Sequence, residues 1–234
     1  MPSHTASADL VTGRPRRRQH ERSAESDRRI VSAAIQALNE RGINELKISD
    51  VAQRAGYSQP LIVQRYGGKA GLLARVSAVI TENWQDVYER VVGNLSGLPA
   101  LCASVDAHSE FIAERPKEVR AIYLLHMLAL DASDEYPATV QTVTQTHRPG
   151  ARAKTWIAAG MKDGSIRSDI NAKIEAEMFA ALIIGLVYSW MANPKLPIRT
   201  LHARVKEELI EHLESQSAKM ARQRANKKRK NAQA

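Results

Sequence analysis

The segment of residues 48–69, ISDVAQRAGYSQPLIVQRYGGK, constrains the fold more than any other part of the chain. Ser49 is a candidate N-cap for one short helix that Gly56 ends, because a hydroxyl accepts a hydrogen bond from the first turn and glycine adopts the left-handed conformation that ends helices. Ser58 is a candidate N-cap for a second short helix, which ends before Gly67. Two short helices joined by a tight turn form a helix-turn-helix, whose second helix can enter the major groove of DNA. The segment therefore predicts a DNA-binding element.

Length and composition are typical of a soluble helical protein. The chain has 234 residues, of which 44% are hydrophobic and only 5% aromatic, so it is long enough to bury a core of aliphatic side chains. Cys102 is the only cysteine, which excludes an internal disulfide and a cysteine-based metal cluster and fits a reducing compartment. We predict no cofactor and no metal site.

No part of the sequence predicts a membrane segment. Residues 1–27 contain five arginines but no apolar run behind them, which argues against a secretory signal or a membrane anchor. The longest uncharged run, residues 178–194, is shorter than the roughly 20 apolar residues that span a bilayer. We therefore expect a cytoplasmic protein without a membrane partner, and a buried helix in this run.

The positive charge is concentrated at the two ends of the chain. The formal net charge is +9, to which residues 1–18 contribute +3 and residues 215–234 contribute +7, so that residues 19–214 carry −1. The N-terminal arm is interpreted either as a solvated tail or as an arm that enters the minor groove beside the head. The C-terminal run is interpreted as a disordered solubilising tail or as a source of nonspecific attraction to DNA.

Apolar residues recur at helical spacing along most of the chain, and no segment has the alternation of a strand, so the fold class is predicted to be all-α. Residues 27–41, 49–55 and 59–66 form three helices of a compact head, and a long unbroken helix over residues 70–92 joins this head to the rest. Further helices are predicted over residues 101–114, 117–130, 137–147, 151–161, 171–191 and 198–216.

The N-terminal sequence resembles that of TetR-type transcriptional regulators. The resemblance covers residues 28–73, with RRIVSAAIQALNERG as the first helix and ISDVAQRAGYSQPLIVQRYGGKAGLL as the helix-turn-helix and the start of helix four; GMKDGSIRSDI at 160–170 resembles a turn in the body. It implies an N-terminal helix-turn-helix head and a larger helical body that binds ligand and dimerises. The implied division is a flexible basic arm (1–24), a DNA-binding domain (25–75), a ligand-binding and dimerisation domain (76–216) and a disordered basic tail (217–234).

The resemblance also implies roles in DNA binding. Capping serines reach phosphates, Gln59, Pro60 and Gln64 face base edges, and Lys69 contacts backbone phosphate; these roles agree with glutamine reading adenine and lysine neutralising phosphate. The family's phosphate-binding tyrosine is replaced here by Val63, the usual small residue by Pro60, and the acid after the helix-four lysine by Ala70, so the mode of binding is predicted but not the operator. The predicted DNA-binding residues are Ser49, Tyr57, Ser58, Gln59, Pro60, Gln64, Arg65 and Lys69.

Large side chains in the body are expected to be mainly core, with some of them lining an apolar pocket. The pocket candidates are Trp84, Tyr88, Phe111, Tyr123, His126, Met127, Trp156 and Phe179, with Tyr123 or His126 as the polar handle. Residues 175–192 are apolar nearly all round and contain small residues that allow close helix approach. In the family the last two helices pair across a twofold axis, which implies a homodimer. The predicted interface residues are Ala181, Gly185, Tyr188, Leu209 and Leu213.

The sequence therefore predicts a regulator, more specifically a repressor that a small apolar effector releases from a palindromic operator on double-stranded DNA. One alternative is a DNA-binding regulator without an effector, and another is a helical enzyme that uses the body cavity. Ser104, Asp106 and His108 have the side chains of a catalytic triad, but residues so close in sequence, without a strand-turn-helix nucleophile elbow, do not form one. We therefore predict that the protein is not an enzyme.

Overall fold

The computed structural model describes residues 14–130 and 149–232, together with residues 136, 137, 139 and 141. The described residues are almost entirely helical, with a single isolated bridge between Ile166 and Glu214, which confirms the all-α fold class. The helices are α1 (Arg14–Arg41), α2 (Ile48–Ala55), α3 (Gln59–Tyr66), α4 (Lys69–Val91), α5 (Gly97–Glu114), α6 (Pro116–Leu130), α7 (Pro149–Asp163), α8 (Ala172–Ala192), α9 (Ile198–Leu213) and α10 (Gln216–Ala232).

Helices α1 to α4 share one core in the N-terminal head. Leu38 of α1, Val51 of α2, Ile62 of α3 and Leu72 of α4 are completely buried and belong to the same cluster. Burying four such side chains supplies several kcal/mol, at roughly 1.5–3 kcal/mol each. The apolar spacing of the sequence therefore fixes how the two short helices sit against α1.

Gly56 makes the tight turn between α2 and α3. Its φ is +74°, and its N–H is bonded to the carbonyl of Gln53 while the N–H of Tyr57 reaches the carbonyl of Ala52. This is the left-handed C-terminal cap that glycine adopts without steric cost. The turn predicted from the sequence is confirmed at this position.

The long helix α4 joins the head to the body. Leu72 and Leu73 lie in the head core, while Ile80 and Val87 pack further along against α5 and α6 in the same continuous cluster. A second cluster contains residues of α5, α7, α8 and α9, among them Leu101 and Ile157. Helix α4 therefore contributes buried side chains to the core of both the head and the body.

Helix α8 is the most apolar helix among those described. Asn171 caps it, its side chain accepting from the N–H groups of Lys173 (3.0 Å) and Ile174 (3.3 Å). By length and composition alone the helix could cross a membrane. Its inward face, including Phe179 and Val187, is buried in the protein. The opposite face is exposed, so the prediction of a buried helix is confirmed for one face only.

The structure differs from the sequence prediction at both ends of the described chain. Helix α1 begins at Arg14 rather than residue 27, and α10 is helical over Gln216–Ala232 where a disordered tail was expected. Residues 14–26 contain five arginines, and residues 216–232 are rich in Lys, Arg, Gln and Ala; all of these are good helix formers, and α10 contains neither proline nor glycine. Charge alone was a poor guide to disorder here. The helix predicted over residues 137–147 lies mostly outside the described residues.

The body has two opposite ends, which matter for the position of α10. Asn39 of α1 donates to the carbonyl of Lys117 (2.9 Å), which places the start of α6 at the head. At the other end the N–H of Leu98 donates to Ser165 Oγ (3.4 Å), and the N–H of Ser215 donates to the carbonyl of Ser165 (3.2 Å). We call this second end, formed by the start of α5, residues 163–167 and residues 213–215, the distal pole.

Candidate DNA-binding surface and ligand cavity

One face of α3 points away from the rest of the head. Gln59, Pro60 and Gln64 are exposed, and 42% of Val63 is exposed, whereas Ile62 is completely buried. We call these four exposed residues the reading face. A short helix that is anchored by one apolar residue and presents a mixed polar and apolar face suits insertion into a major groove, where amides read adenine and an aliphatic group meets the thymine methyl. Val63 was not predicted as a contact, although its spacing of four from Gln59 places it on this face.

The two predicted capping serines have different roles. Ser58 caps α3, its Oγ accepting from the N–H of Leu61 (3.4 Å). Ser49 was wrongly predicted to cap α2, because the helix starts two residues earlier than a cap at Ser49 requires. The N-cap position is Lys47, whose side chain makes no capping bond. Ser49 is exposed in the first turn of α2, where its hydroxyl remains available to a phosphate.

Arg65 and Tyr57, two further DNA-binding candidates, have partners inside the protein. The Arg65 guanidinium donates to Ser26 Oγ (2.6 Å) and Ser23 Oγ (3.2 Å). The guanidinium of Arg29 lies 5.2 Å from the centre of the Tyr57 ring, a cation–π distance. Both side chains therefore tie the helix-turn-helix to α1, a role that the sequence did not predict.

Asp27 connects three helices of the head. Its carboxylate accepts from the hydroxyl of Tyr66 (2.7 Å) on α3 and from Nη2 (2.9 Å) and Nε (3.1 Å) of Arg75 on α4. Burial opposes ionisation of Asp27, but the hydrogen bonds from Arg75 and Tyr66 outweigh it and hold the pKa of the carboxyl below its usual value. We call these three residues the Asp27 cluster, and it fixes the orientation of α3 relative to α4.

Lys69 begins α4 close to the reading face. It follows the α3–α4 turn directly, is half-buried, and its ammonium lies 5.8 Å from the centre of the Tyr136 ring. The N-terminus of a helix attracts anions, since its first N–H groups have no partner within the helix. Lys69 and the start of α4 together form a seat that suits a backbone phosphate.

Gly71 is required by the close approach of α3 and α4. A Cβ atom added there would overlap the backbone carbonyl of Tyr66. We expect Gly71→Ala to destabilise the head by about 1–3 kcal/mol through overpacking, measured as the midpoint of thermal unfolding. Gly150→Ala is the control, because a Cβ at that helical glycine meets its nearest atoms at 3.4 Å, an ordinary contact. Equal midpoints for the two variants would contradict the assigned role of Gly71.

A narrow cavity lies in the body between α4, α5 and α6. The volume of this cavity is about 20 Å³, roughly what one water molecule needs. Three predicted pocket residues, Trp84, Phe111 and Tyr123, line it. The remaining lining residues are Ile80, Thr81, His108, Val119 and Ile122.

The other predicted pocket residues lie around this cavity or away from it. Tyr88 and Trp156 stack on each other with ring centres 5.8 Å apart, beside Trp84. His126 stands edge-on to Tyr123 at 5.3 Å. Phe179 is buried in the second core cluster rather than against the cavity. Met127, 49% exposed, accepts from the hydroxyl of Tyr188 and lies in a surface groove, so it is placed outside the described cavity.

A pair of buried histidines links the cavity to α9. His108 Nδ1 and His202 Nε2 are 2.9 Å apart, and His202 Nδ1 lies 2.8 Å from the carbonyl of Ile198. Because a carbonyl only accepts, His202 donates through Nδ1 and accepts from His108 through Nε2. Burial lowers the pKa of His202, which favours the neutral ring that this arrangement needs. Sequence reasoning missed the pair, since its members are far apart in the chain.

The predicted dimer residues fall into two groups. Ala181 and Gly185 are exposed on α8, and Tyr188 and Leu209 are half-buried. Leu213 is only 2% exposed and packs in the second core cluster of the same protomer. The interface assignment of Leu213 is therefore corrected: it ends α9 at the distal pole, where its apolar side chain is covered by residues of its own chain.

The exposed face of α8 is strongly apolar. Ile174, Met178 and Leu182 are 55%, 59% and 44% exposed, and with Ala181 and Gly185 they follow one stripe of the helix at steps of three and four residues. A continuous exposed apolar stripe of this kind marks an interaction surface. We call these five residues the α8 stripe.

Fold and surface together define a class of protein: a helix-turn-helix DNA-binding head joined by one long helix to a helical body. Residues 30–76 match the sequence profile of the bacterial regulatory proteins of the tetR family. No protein with a curated description shows significant sequence similarity to the chain. Residues 30–76 therefore carry a DNA-binding domain of the tetR type, as the sequence indicated.

Solved structures with the same fold include a TetR transcriptional regulator from Chloroflexus aurantiacus, with a TM-score of 0.69 and 18% identity over 83% of this chain and 99% of that one. A transcriptional regulator from Saccharomonospora viridis in complex with choline gives 0.71 and 19%, over 82% and 100%. The regulator FadR from Bacillus subtilis in complex with stearoyl-CoA gives 0.62 and 17%, over 78% and 96%. At these identities the similarity establishes the fold alone.

Proposed function

We propose that the protein is a homodimeric repressor that binds a palindromic operator and is released from it by a small, largely apolar effector. The reading face carries this proposal, because its four side chains on α3 are exposed. The phosphate seat at Lys69 lies beside them. Its proposed place is the cytoplasm, where a bacterial chromosome lies. The small contact area of one such helix explains why two copies are needed to read a site.

The α8 stripe supports the dimer. A twofold axis through this stripe would bury Ile174, Met178 and Leu182 against their copies, as in an isologous interface where the same patch serves both partners. The small Ala181 and Gly185 permit close approach of the two copies of α8. Two heads held in fixed relation then match two operator half-sites, and their spacing decides whether both can bind at once.

The cavity supports the effector. Its lining is mainly aromatic and aliphatic, while Tyr123 and His108 offer polar groups, a composition typical of small-molecule sites. A site that holds about one water must widen to admit a larger molecule. The related regulators bound to choline and to stearoyl-CoA show that this fold accommodates ligands of very different size.

Release would follow from the continuity of α4. Ile80 and Trp84 line the cavity, whereas Lys69 and Leu72 of the same helix belong to the head. A ligand that widens the cavity moves α4, and with it the head, and the histidine pair transmits the change to α9. Binding of effector and operator is then antagonistic, since each prefers a different arrangement of the heads.

DNA binding is tested with duplexes enriched from a random-sequence pool by the wild-type protein. Gln64→Ala is expected to weaken binding to the enriched duplex by about 1–3 kcal/mol and to leave binding to random duplex nearly unchanged. Lys69→Gln should weaken both and reduce the log–log salt slope by about 0.9 for each phosphate that it leaves without a cation. Equal affinity of the wild-type protein for enriched and random duplexes would favour a general DNA-binding protein instead.

Effector release is tested by filling the cavity. Compounds that raise the unfolding midpoint of the wild-type protein are expected to lower its affinity for the enriched duplex about 5- to 150-fold. Ile122→Trp, which occupies the cavity, should retain DNA binding and lose this response. A stabilising compound that binds the wild-type cavity yet leaves DNA affinity unchanged would support the alternative of a regulator without an effector.

A further inference from the structure

The C-terminal helix α10 accounts for most of the net positive charge of the protein. It contains seven lysines and arginines and no acidic residue, in a chain whose net charge is +9. At 100° per residue these cations are spread around the whole circumference of the helix. The helix therefore presents a column of positive charge rather than one charged face.

This column starts at the distal pole. Ser215, which precedes α10, donates through its Oγ to the carbonyl of Gly164 (2.5 Å) and through its N–H to that of Ser165. The head is at the other end of α4, a helix of 23 residues that is about 34 Å long at 1.5 Å per residue. The largest concentration of charge is thus at the opposite end of the body from the reading face.

Helix α10 is not folded back along the body. All side chains from residue 219 to residue 228 are exposed, whereas a helix lying on the body would bury one side. Among these ten described residues Arg222 forms an ion pair, donating to both carboxylate oxygens of Glu214 (2.9 and 2.8 Å) at the base of α10. This ion pair fixes the first turns of the column where it leaves the body.

The chemistry of the column fits phosphates better than a bilayer. Met220 is its only large apolar residue, so α10 has no apolar face to insert below lipid headgroups, which amphipathic membrane helices require. Cations on every side of a helix match a polyanion that can approach from any direction, and neutralising duplex phosphates needs no sequence readout. DNA is the polyanion nearest to a protein that is already bound to an operator.

We propose that α10 binds the phosphates of a second DNA duplex, so that one molecule held on its operator by the heads bridges two DNA segments. Operator binding through the heads is the proposed function and bridging rests on it, whereas binding of duplex by α10 does not. The bound operator itself lies beyond the reach of α10, which is about 25 Å long and leaves the body at the distal pole. A C-terminal helix in this position adds contact with a second duplex and does not raise the affinity for the operator.

The test uses the full-length protein immobilised on the enriched duplex, to which a fluorescent random-sequence duplex is added. The neutralised variant, Lys219→Gln with Arg224→Gln, Lys227→Gln and Lys228→Gln, should stay on the first duplex and capture at least about tenfold less of the second. Capture by the wild-type protein should fall steeply with salt. The charge-retaining variant, with Lys→Arg at 219, 227 and 228 and Arg→Lys at 224, should capture as the wild-type protein does.

A second arm separates this proposal from the proposed function. The Gln64→Ala/Lys69→Gln variant, held by an N-terminal tag instead of DNA, should still capture random duplex, and its neutralised counterpart should not. Loss of capture by the tagged head variant overturns the assignment of α10, whether or not the heads read an operator. Equal capture of random duplex by the neutralised and wild-type proteins would overturn it as well. So would a wild-type protein that binds phosphatidylglycerol vesicles more tightly than random duplex through α10.

Discussion

Leu182→Glu is expected to convert the protein into monomers and to lower its affinity for the enriched duplex about 100-fold or more. Leu182 lies within the α8 stripe, and a twofold interface would bring two introduced carboxylates together without partners, which is strongly unfavourable. Once the heads are no longer linked, each must bind its half-site alone and the gain from linking them disappears. Light scattering reports the mass, and a duplex titration reports the affinity.

Ser168→Glu is the matched control for this substitution. It adds the same charge at an exposed position outside α8 and should leave mass and affinity unchanged. A Leu182→Glu protein that remains dimeric would show that another surface carries the twofold contact. Circular dichroism of both variants verifies that the protomer is still folded.

Asp27→Ala is expected to lower the stability of the head by about 2–3 kcal/mol and to abolish tight operator binding. The substitution leaves Tyr66 and Arg75 without their shared acceptor, and unpaired, partly buried donors are costly. For a domain of this size such a loss lowers the thermal midpoint by about 4–12 °C. DNA affinity falls as well, because α3 no longer has the hydrogen bond that orients it against α4.

The pH dependence distinguishes this role from simple loss of packing. The folded-state pKa of Asp27 lies below its ordinary value of 3.8, so its stabilising contribution is present above about pH 4 and is lost as pH falls through the folded-state pKa. The difference in stability between wild type and Asp27→Ala should therefore shrink in acid. Glu82→Ala is the control: it removes the other, more exposed partner of Arg75 (3.2 Å) and should cost less than about 1 kcal/mol. A Glu82→Ala loss as large as that of Asp27→Ala would contradict the assigned role.

Local sequence signals predicted the helices and the DNA-binding class. Apolar spacing, the cap at Ser58 and the glycine turn at Gly56 are encoded within a few residues of where they act. The family resemblance then supplied the arrangement of head and body. For the same reason the reading face was largely predictable, because a helix of known register that is anchored by Ile62 has only one outward side.

The remainder depends on contacts between distant residues. Asp27 is hydrogen-bonded to Tyr66 and Arg75, which are 39 and 48 residues away in the sequence. No local sequence pattern predicts that one carboxylate will accept from both side chains. Arg65 was predicted as a DNA contact because an arginine on the second helix of a helix-turn-helix can serve a base or a phosphate, yet the extension of α1 supplies its partners. Leu213 was likewise predicted as an interface residue from its helix alone. The residues of the distal pole that cover it are distant in the sequence.

The division of labour within α3 has an evolutionary consequence. Its stabilising duties fall on Ile62, Arg65 and Tyr66, whereas the four side chains of the reading face contribute little to the fold. Exposed substitutions of that kind usually change stability by no more than about 0.5 kcal/mol. The DNA sequence that the proposed reading face prefers can therefore change between duplicated copies of the gene without intermediate forms that fail to fold. A copy can acquire a new target while the core of the head stays the same.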